Sequence, residues 1–217
     1  MTFSPDIRHE LEAPLSREAV KTRKQGGRNV SYIEGWRVIS EANRIFGFDG
    51  WRRETLDVRK VSEAARAIGE DKAEGWGVTY IAKCRITIGD IIRDGCGAGH
   101  GIDRDLGQAH ESALKEAETD AMKRAFMTFG NPFGLALYDK TQANVADETD
   151  IVYARFVQDT KDIIDAFAHA DHVRLLAWWN SDEQKKARRD FNLHPDDLAM
   201  LKGMVAAKLP PKQEPTA

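Results

Sequence analysis

Only two cysteines, Cys84 and Cys96, occur in the 217 residues. That rules out a disulfide framework and fits a reducing, cytoplasmic setting. No apolar run approaches the roughly 20 residues that a membrane-spanning helix needs. The opening Met-Thr-Phe-Ser-Pro-Asp has neither a basic nor an apolar region, so no secretory leader is expected. The enzyme signatures are missing too. Gly95-Cys-Gly-Ala-Gly-His-Gly101 does not fit Gly-x-Gly-x-x-Gly and lacks the Gly-Lys-Ser/Thr ending of a phosphate loop. It reads instead as a strand edge where backbones approach closely. His110-Glu111 has no second histidine, and no Gly-x-Ser-x-Gly elbow occurs. Without a Cys-x-x-Cys, the trio Cys84, Cys96 and His100 makes a poor zinc set. No catalytic residue, metal site or cofactor is expected.

What is present is an ordinary globular composition, 41% hydrophobic and 31% charged, of a size suited to one core domain and a small appendage. The net charge of −3 hides an asymmetry. Between Arg17 and Lys60 eleven Lys/Arg face six Asp/Glu, whereas from Ala146 onward ten face thirteen. A polyanion needs a basic surface, not a basic total.

The expected fold is α+β: a three- or four-stranded antiparallel sheet packed on a long helix, a β-β-β-α core, with a small C-terminal helical module. Met1 to Glu12 reads as a loose arm. Leu15 to Lys24 reads as a short helix, capped at Ser16 and ended by Gly26-Gly27. Arg28 to Ile33 reads as a strand. Glu34 to Phe46 reads as a helix with Trp36, Ile39, Ala42, Asn43 and Phe46 near one face and Gly47 as its cap. Trp51 to Val61 is an imperfect strand, followed by a polar excursion from Ala64 to Gly75. Trp76 to Ile88 alternates most clearly, Gly89-Asp90 is a hairpin turn, and Ile91 to Cys96 returns. Gly95 to Gly101 leads out. Asp103 to Phe129 is the longest helix, with alanines at 109, 113, 117, 121 and 125 down one side. Gly130 and Pro132 stop it. Residues 1–145 form the first expected domain. Residues 146–217 form a linker, helices and a Pro/Lys/Gln tail from Pro210.

Single-strand binders combine cations for phosphates with aromatic faces for bases. Trp36, Phe46, Phe48 and Trp51 lie close in sequence to Arg37, Arg44, Arg52 and Arg53, although Phe46 and Trp51 suit the core better. Lys123-Arg124 at the end of the long helix also opposes the helix dipole. A competing reading is a magnesium-dependent nuclease or DNA-modifying enzyme using Asp94, Asp103 and Asp105. Those acids lack ligand spacing, and acids before a helix commonly cap it.

The stretch Tyr32-Ile-Glu-Gly-Trp-Arg-Val-Ile-Ser-Glu-Ala-Asn-Arg-Ile-Phe-Gly-Phe-Asp-Gly-Trp51 resembles the opening motif of the Rad52 family of single-strand annealing proteins. Lys115-Glu-Ala-Glu-Thr-Asp-Ala-Met-Lys-Arg-Ala-Phe126, followed by Phe129-Gly-Asn131, resembles that family's long helix and its exit. The resemblance runs from about Leu15 to Lys140. It implies an oligomeric ring that binds single-stranded DNA and anneals complementary strands without ATP, in homologous recombination and repair. It places Lys123 and Arg124 in an inner, phosphate-contacting groove. Arg23, or its neighbours Lys24 or Lys21, supplies another cation there, and Tyr32 lies nearby. Arg104 and Lys140 match basic positions of an outer groove. Met127 and Asn144 stand where the family has further cations, and Arg28 or Arg37 would compensate. Trp178-Trp179 and Lys185-Lys186-Ala187-Arg188-Arg189 suit an acidic, hydrophobic peptide, such as the tail of a single-strand-binding protein, or an exonuclease. Compact length and this appendage point to a bacterial or phage chain of Sak type.

Overall fold

The computed structural model describes residues 3–210, so the expected tail beyond Pro210 lies outside it. The chain divides into two compact units, Met1–Asp147 and Glu148–Ala217. The first is α+β. It begins with α1 (Pro5–Glu12), where a loose arm was expected. Ser4 accepts from the Ile7 amide at 3.3 Å and proline opens the first turn, a start signal that is plain in the sequence. Leu11 is buried, which fastens the helix to the core.

A two-residue strand, β1 (Leu15–Ser16), pairs in parallel with β7 (Val145–Ala146). Then comes a hairpin, β2 (Val20–Gln25) and β3 (Arg28–Ile33), where the sequence pointed to a helix ending at Lys24. The correction lies in the turn. Gly26 and Gly27 have φ of 57° and 76°. Two consecutive positive-φ residues make the two-residue hairpin turn that suits strand twist, rather than a helix cap.

In α2 (Gly35–Phe46) the buried positions are Val38, Glu41 and Ala42, while Trp36 and Ile39 face outward. The apolar face is therefore rotated from the expected one. The buried Glu41 carboxylate is held by Arg37 at 3.1 Å and Arg44 at 2.8 Å.

The main sheet has the order β4 (Arg52–Ile68), β5 (Ala73–Ile88), β6 (Ile91–Asp103), antiparallel throughout. β4 continues through the expected polar excursion as far as Ile68. Its irregular alternation comes from register shifts between Thr55 and Asp57 and between Lys60 and Ser62, which insert Leu56 and Val61 as extra residues. The glycine-rich segment is not an exit: it is the body of β6.

Helix α3 (Leu106–Met127) buries Ala109, Ala113, Ala117, Ala121 and Ala125 completely. Against this row lie Gly95, Gly97, Gly99 and Gly101, which share one face of β6. A Cβ built on Gly97 would stand 2.2 Å from the Ala121 nitrogen, and one on Gly101 would stand 1.8 Å from the Ala109 oxygen. Backbone meets backbone here, and there is no room for a methyl group. After α3 the chain makes two short turns, Asn131–Phe133 and Leu135–Tyr138. Phe133 stacks on Phe126 at 5.1 Å and on Phe46 at 6.0 Å between centroids.

The second unit comprises α4 (Glu148–Ala166), α5 (His172–Trp179), α6 (Asp182–Asp190) and α7 (Pro195–Ala207). Ile164, Leu175, Trp179, Leu201 and Val205 form its core. Ser181 caps α6 by accepting from the Gln184 amide at 3.2 Å.

Candidate nucleic-acid interface

A cleft of about 720 Å³ opens in the first unit between the β2–β3 hairpin, the side of α3, the edge of β6 and the turns at 131–138. The helix supplies two rows of side chains at four-residue spacing: Thr119, Lys123 and Met127, and Glu116, Asp120 and Arg124. Both rows are displaced around the helix from the buried alanines, so they border the cleft while the alanines hold the sheet.

The hairpin supplies the opposite side. In its register Lys21 faces Tyr32, Arg23 faces Val30, Gln25 faces Arg28, and Lys24 faces Asn29. Directly opposed residues share a face, so Arg23, Arg28 and Tyr32 lie on one side of the ladder and Lys24 on the other. The Tyr32 ring is flanked by two cations, the Arg23 guanidinium carbon at 5.4 Å and the Lys123 ammonium at 5.7 Å from its centroid. Lys123 also donates to the Ile33 carbonyl at 3.4 Å.

Burial pushes the Lys123 pKa below the usual 10.5, with Asp120 opposing the shift and Arg23 and Arg124 adding to it. The ammonium therefore sits where its charge is poorly solvated and crowded by like charges. An anion entering the cleft relieves both penalties. Arg124 donates to Asp120 at 2.9 Å, and that bond raises its pKa and fixes its side chain.

Of the nine candidate positions, the cleft gathers Arg23, Tyr32, Lys123 and Arg124. Lys24 and Arg28 are exposed on the hairpin outside its lining. Arg37 is on α2, turned to Glu41. Arg104 follows β6 and is bonded to Asp71 of the β4–β5 turn at 2.7 Å. Lys140 is exposed beyond the second short turn. Met127 lines the cleft beside Arg124, and so do Tyr138, Thr119 and His100. Helical spacing from Lys123 was enough to find Thr119 and Met127. Nothing in the sequence signalled Tyr138, whose place depends on a non-repetitive turn.

Among the aromatics weighed as base platforms, Trp51 packs edge-on against Phe126 at 5.1 Å and donates to Asn43 at 2.9 Å. Phe46 is part of the phenylalanine stack. Trp36 and Phe48 are exposed, Phe48 at 87%. The acids of the nuclease reading have other partners. Asp94 receives two bonds from Arg85, at 2.8 and 3.0 Å, and lies 3.1 Å from Lys83; these cations lower its pKa to about 2. Asp103 accepts from the Asp105 amide, and Asp105 caps α3 through the Gln108 amide, both at 2.9 Å. Among the described residues no three of His, Cys, Asp and Glu gather closely enough to hold a metal ion. None of the described helices is long and apolar enough to cross a membrane.

A family model described as Rad52/22 family double-strand break repair protein matches residues 4–155. The chain belongs to that family. Among curated relatives, the DNA repair and recombination protein RAD52 of Saccharomyces cerevisiae is 37% identical over 142 residues, covering 63% of this chain and 28% of the relative. The DNA repair and recombination protein rad22 of Schizosaccharomyces pombe is 38% identical over 141 residues, 62% of this chain and 28% of its own length. The DNA repair and recombination protein rti1 of the same yeast is 31% identical over 227 residues, spanning 94% of this chain and 57% of the relative. This chain thus spans between 28% and 57% of the length of these three fungal proteins.

Proposed function

We propose that the chain binds single-stranded DNA and anneals complementary strands in recombination and repair, as a homo-oligomeric ring and without ATP. One observation carries the reading: a half-buried lysine, an arginine and a tyrosine from separate elements converge with Arg124 on one cleft. Such a cleft suits a sugar-phosphate backbone, since cations hold phosphates of any sequence and release counterions. The protein then supplies alignment, and base pairing itself tests the complementary strand. No residue is assigned a catalytic role, and no cofactor enters.

The ring is supported by β4. This 17-residue edge strand is exposed along nearly its whole length, with Leu56, Val58 and Val61 among its open side chains. Long open edges require cover, and a second copy of the chain provides it. The same reading keeps Arg104 and Lys140 as outer contacts. It gives the second unit, whose cations include Lys185 and Lys186, the role of binding an acidic peptide of a single-strand-binding protein or an exonuclease. It also keeps the bacterial or phage, Sak-type, provenance and a cytoplasmic, DNA-associated location.

The test is oligonucleotide binding by Lys123→Ala/Arg124→Ala against the unaltered protein over a salt series. Affinity for all sequences should fall alike, and the log–log salt slope should shrink by about 1.4 for two lost phosphate contacts. A folded double variant with unchanged slope and affinity refutes the phosphate role. Strand cleavage with magnesium, in place of metal-independent pairing, favours the nuclease reading.

A further inference from the structure

The cleft lining is of two kinds: the cations Arg23, Lys123 and Arg124, and the apolar or aromatic Met127, Leu137 and Tyr138. Tyr138 is 66% exposed and ends a short turn, Leu135–Tyr138, that is held to the core by Ala136 and Leu137 while Leu135 is 43% exposed. Gly134, with φ of 95°, starts this turn, and a Cβ there would come within 3.2 Å of Ile33. Phe133, just before it, goes into the core, while the Tyr138 ring is left at the rim. Among the described residues Tyr138 joins no aromatic pair and makes no side-chain hydrogen bond. A large ring is thus held on an anchored turn, at the mouth of a cationic cleft, with its faces open.

We infer that Tyr138 is a stacking platform for one nucleobase of a strand whose phosphates lie on Lys123 and Arg124. The inference rests on the single-strand-binding reading and adds an orientation to it. A phosphate lies against the half-buried Lys123 and the more exposed Arg124, and a base lies on the exposed Tyr138 ring. Stacking covers one face of a base and leaves its pairing edge free, so the platform steadies the base without hiding it from a complementary strand. Every base has such a face, so the contact is tolerant of sequence.

The experiment compares two oligonucleotides of equal length, oligo(dT) and a chain of abasic tetrahydrofuran sugars, with the unaltered protein, Tyr138→Ala, Tyr138→Phe and Lys123→Ala. For oligo(dT), Tyr138→Ala should weaken binding by roughly 5- to 150-fold, with an unchanged salt slope. For the abasic chain it should change nothing, and Tyr138→Phe should retain binding to both. An oligonucleotide carrying 5-iododeoxyuridine should photocross-link to the peptide containing Tyr138. Unchanged oligo(dT) affinity in Tyr138→Ala, or an equal loss on both ligands, overturns the stacking role, as does cross-linking that avoids that peptide. Lys123→Ala should weaken both ligands. If it weakens neither, the binding reading itself has failed, and that result is distinct from a failure at Tyr138.

Discussion

Lys123 is charged at a cost. Its ammonium is half-buried, close to two other cations, and its pKa is lowered mainly by burial. A phosphate beside it favours the protonated form, so the proposed DNA binding at this site would be linked to proton uptake. The sign follows directly. A base with a depressed pKa loses its proton below the ordinary lysine value, so affinity should begin to fall before pH reaches 10.5. Lys123→Arg keeps its charge over the same range and should hold affinity where the native protein loses it. Fluorescence-anisotropy titrations between pH 7 and the alkaline limit of folding check this; parallel curves for the two proteins would remove Lys123 from the phosphate contacts. Tyr32 belongs to the same local arrangement. Arg23 and Lys123 both lie near its ring, at 5.4 and 5.7 Å from the centroid, so all three side chains are gathered at one place in the cleft.

At the scale of the element, the α3–β6 contact decides how precisely the cleft is built. Glycine faces alanine from Gly95 to Gly101, so along this stretch the helix is positioned by backbone contact rather than by adaptable side chains. Gly97→Ala places a Cβ 2.2 Å from the Ala121 nitrogen. It should destabilise by at least the ~1–3 kcal/mol typical of overpacking, read as a lowered denaturant midpoint. Gly203→Ala in α7, where a Cβ meets nothing within 4 Å, should instead be neutral or stabilise by ~0.5–1 kcal/mol. Equal midpoints for the two variants would contradict the close-contact account. β4 presents the opposite case, an element with too little cover. Val61, an extra residue at a bulge and 58% exposed, tolerates a charge in an isolated subunit. Val61→Lys should therefore leave circular dichroism intact while shifting light-scattering mass toward smaller species. An unchanged mass would move the proposed subunit contact away from this edge.

On the scale of the whole molecule, the two units divide the chemistry. The cationic cleft lies entirely within Met1–Asp147, and Glu148–Ala217 has its own aromatic and aliphatic core. Removing residues 148–217 should leave strand annealing by the pure protein within about twofold and abolish only partner-dependent stimulation, which a strand-pairing assay with and without single-strand-binding protein measures. Loss of annealing by the shortened chain would assign the second unit a direct part in pairing. The relative rti1 aligns over 94% of this chain, so its similarity extends into the helices of the second unit.

Periodic segments were legible from the amino acids alone. Residues 76–88 alternate because one face is buried and the other only partly so, and residues 106–127 repeat every fourth alanine because one helix side has no space. The motifs around Tyr32–Trp51 and Lys115–Asn131 were enough to point to the family. Three features needed the folded chain. Gly26-Gly27 reads equally well as a helix cap or a hairpin turn until pairing partners exist, because both use positive φ. β4 breaks its own alternation at two bulges, so its second half lost the signal of a strand. The cleft draws Arg23, Lys123 and Tyr138 from a hairpin, a helix and a turn, and their proximity is a property of packing that no local pattern encodes. Local propensity and periodicity act over a few residues. Which charges crowd one another, and which ring stays open beside them, is set by contacts between segments about a hundred residues apart in the chain.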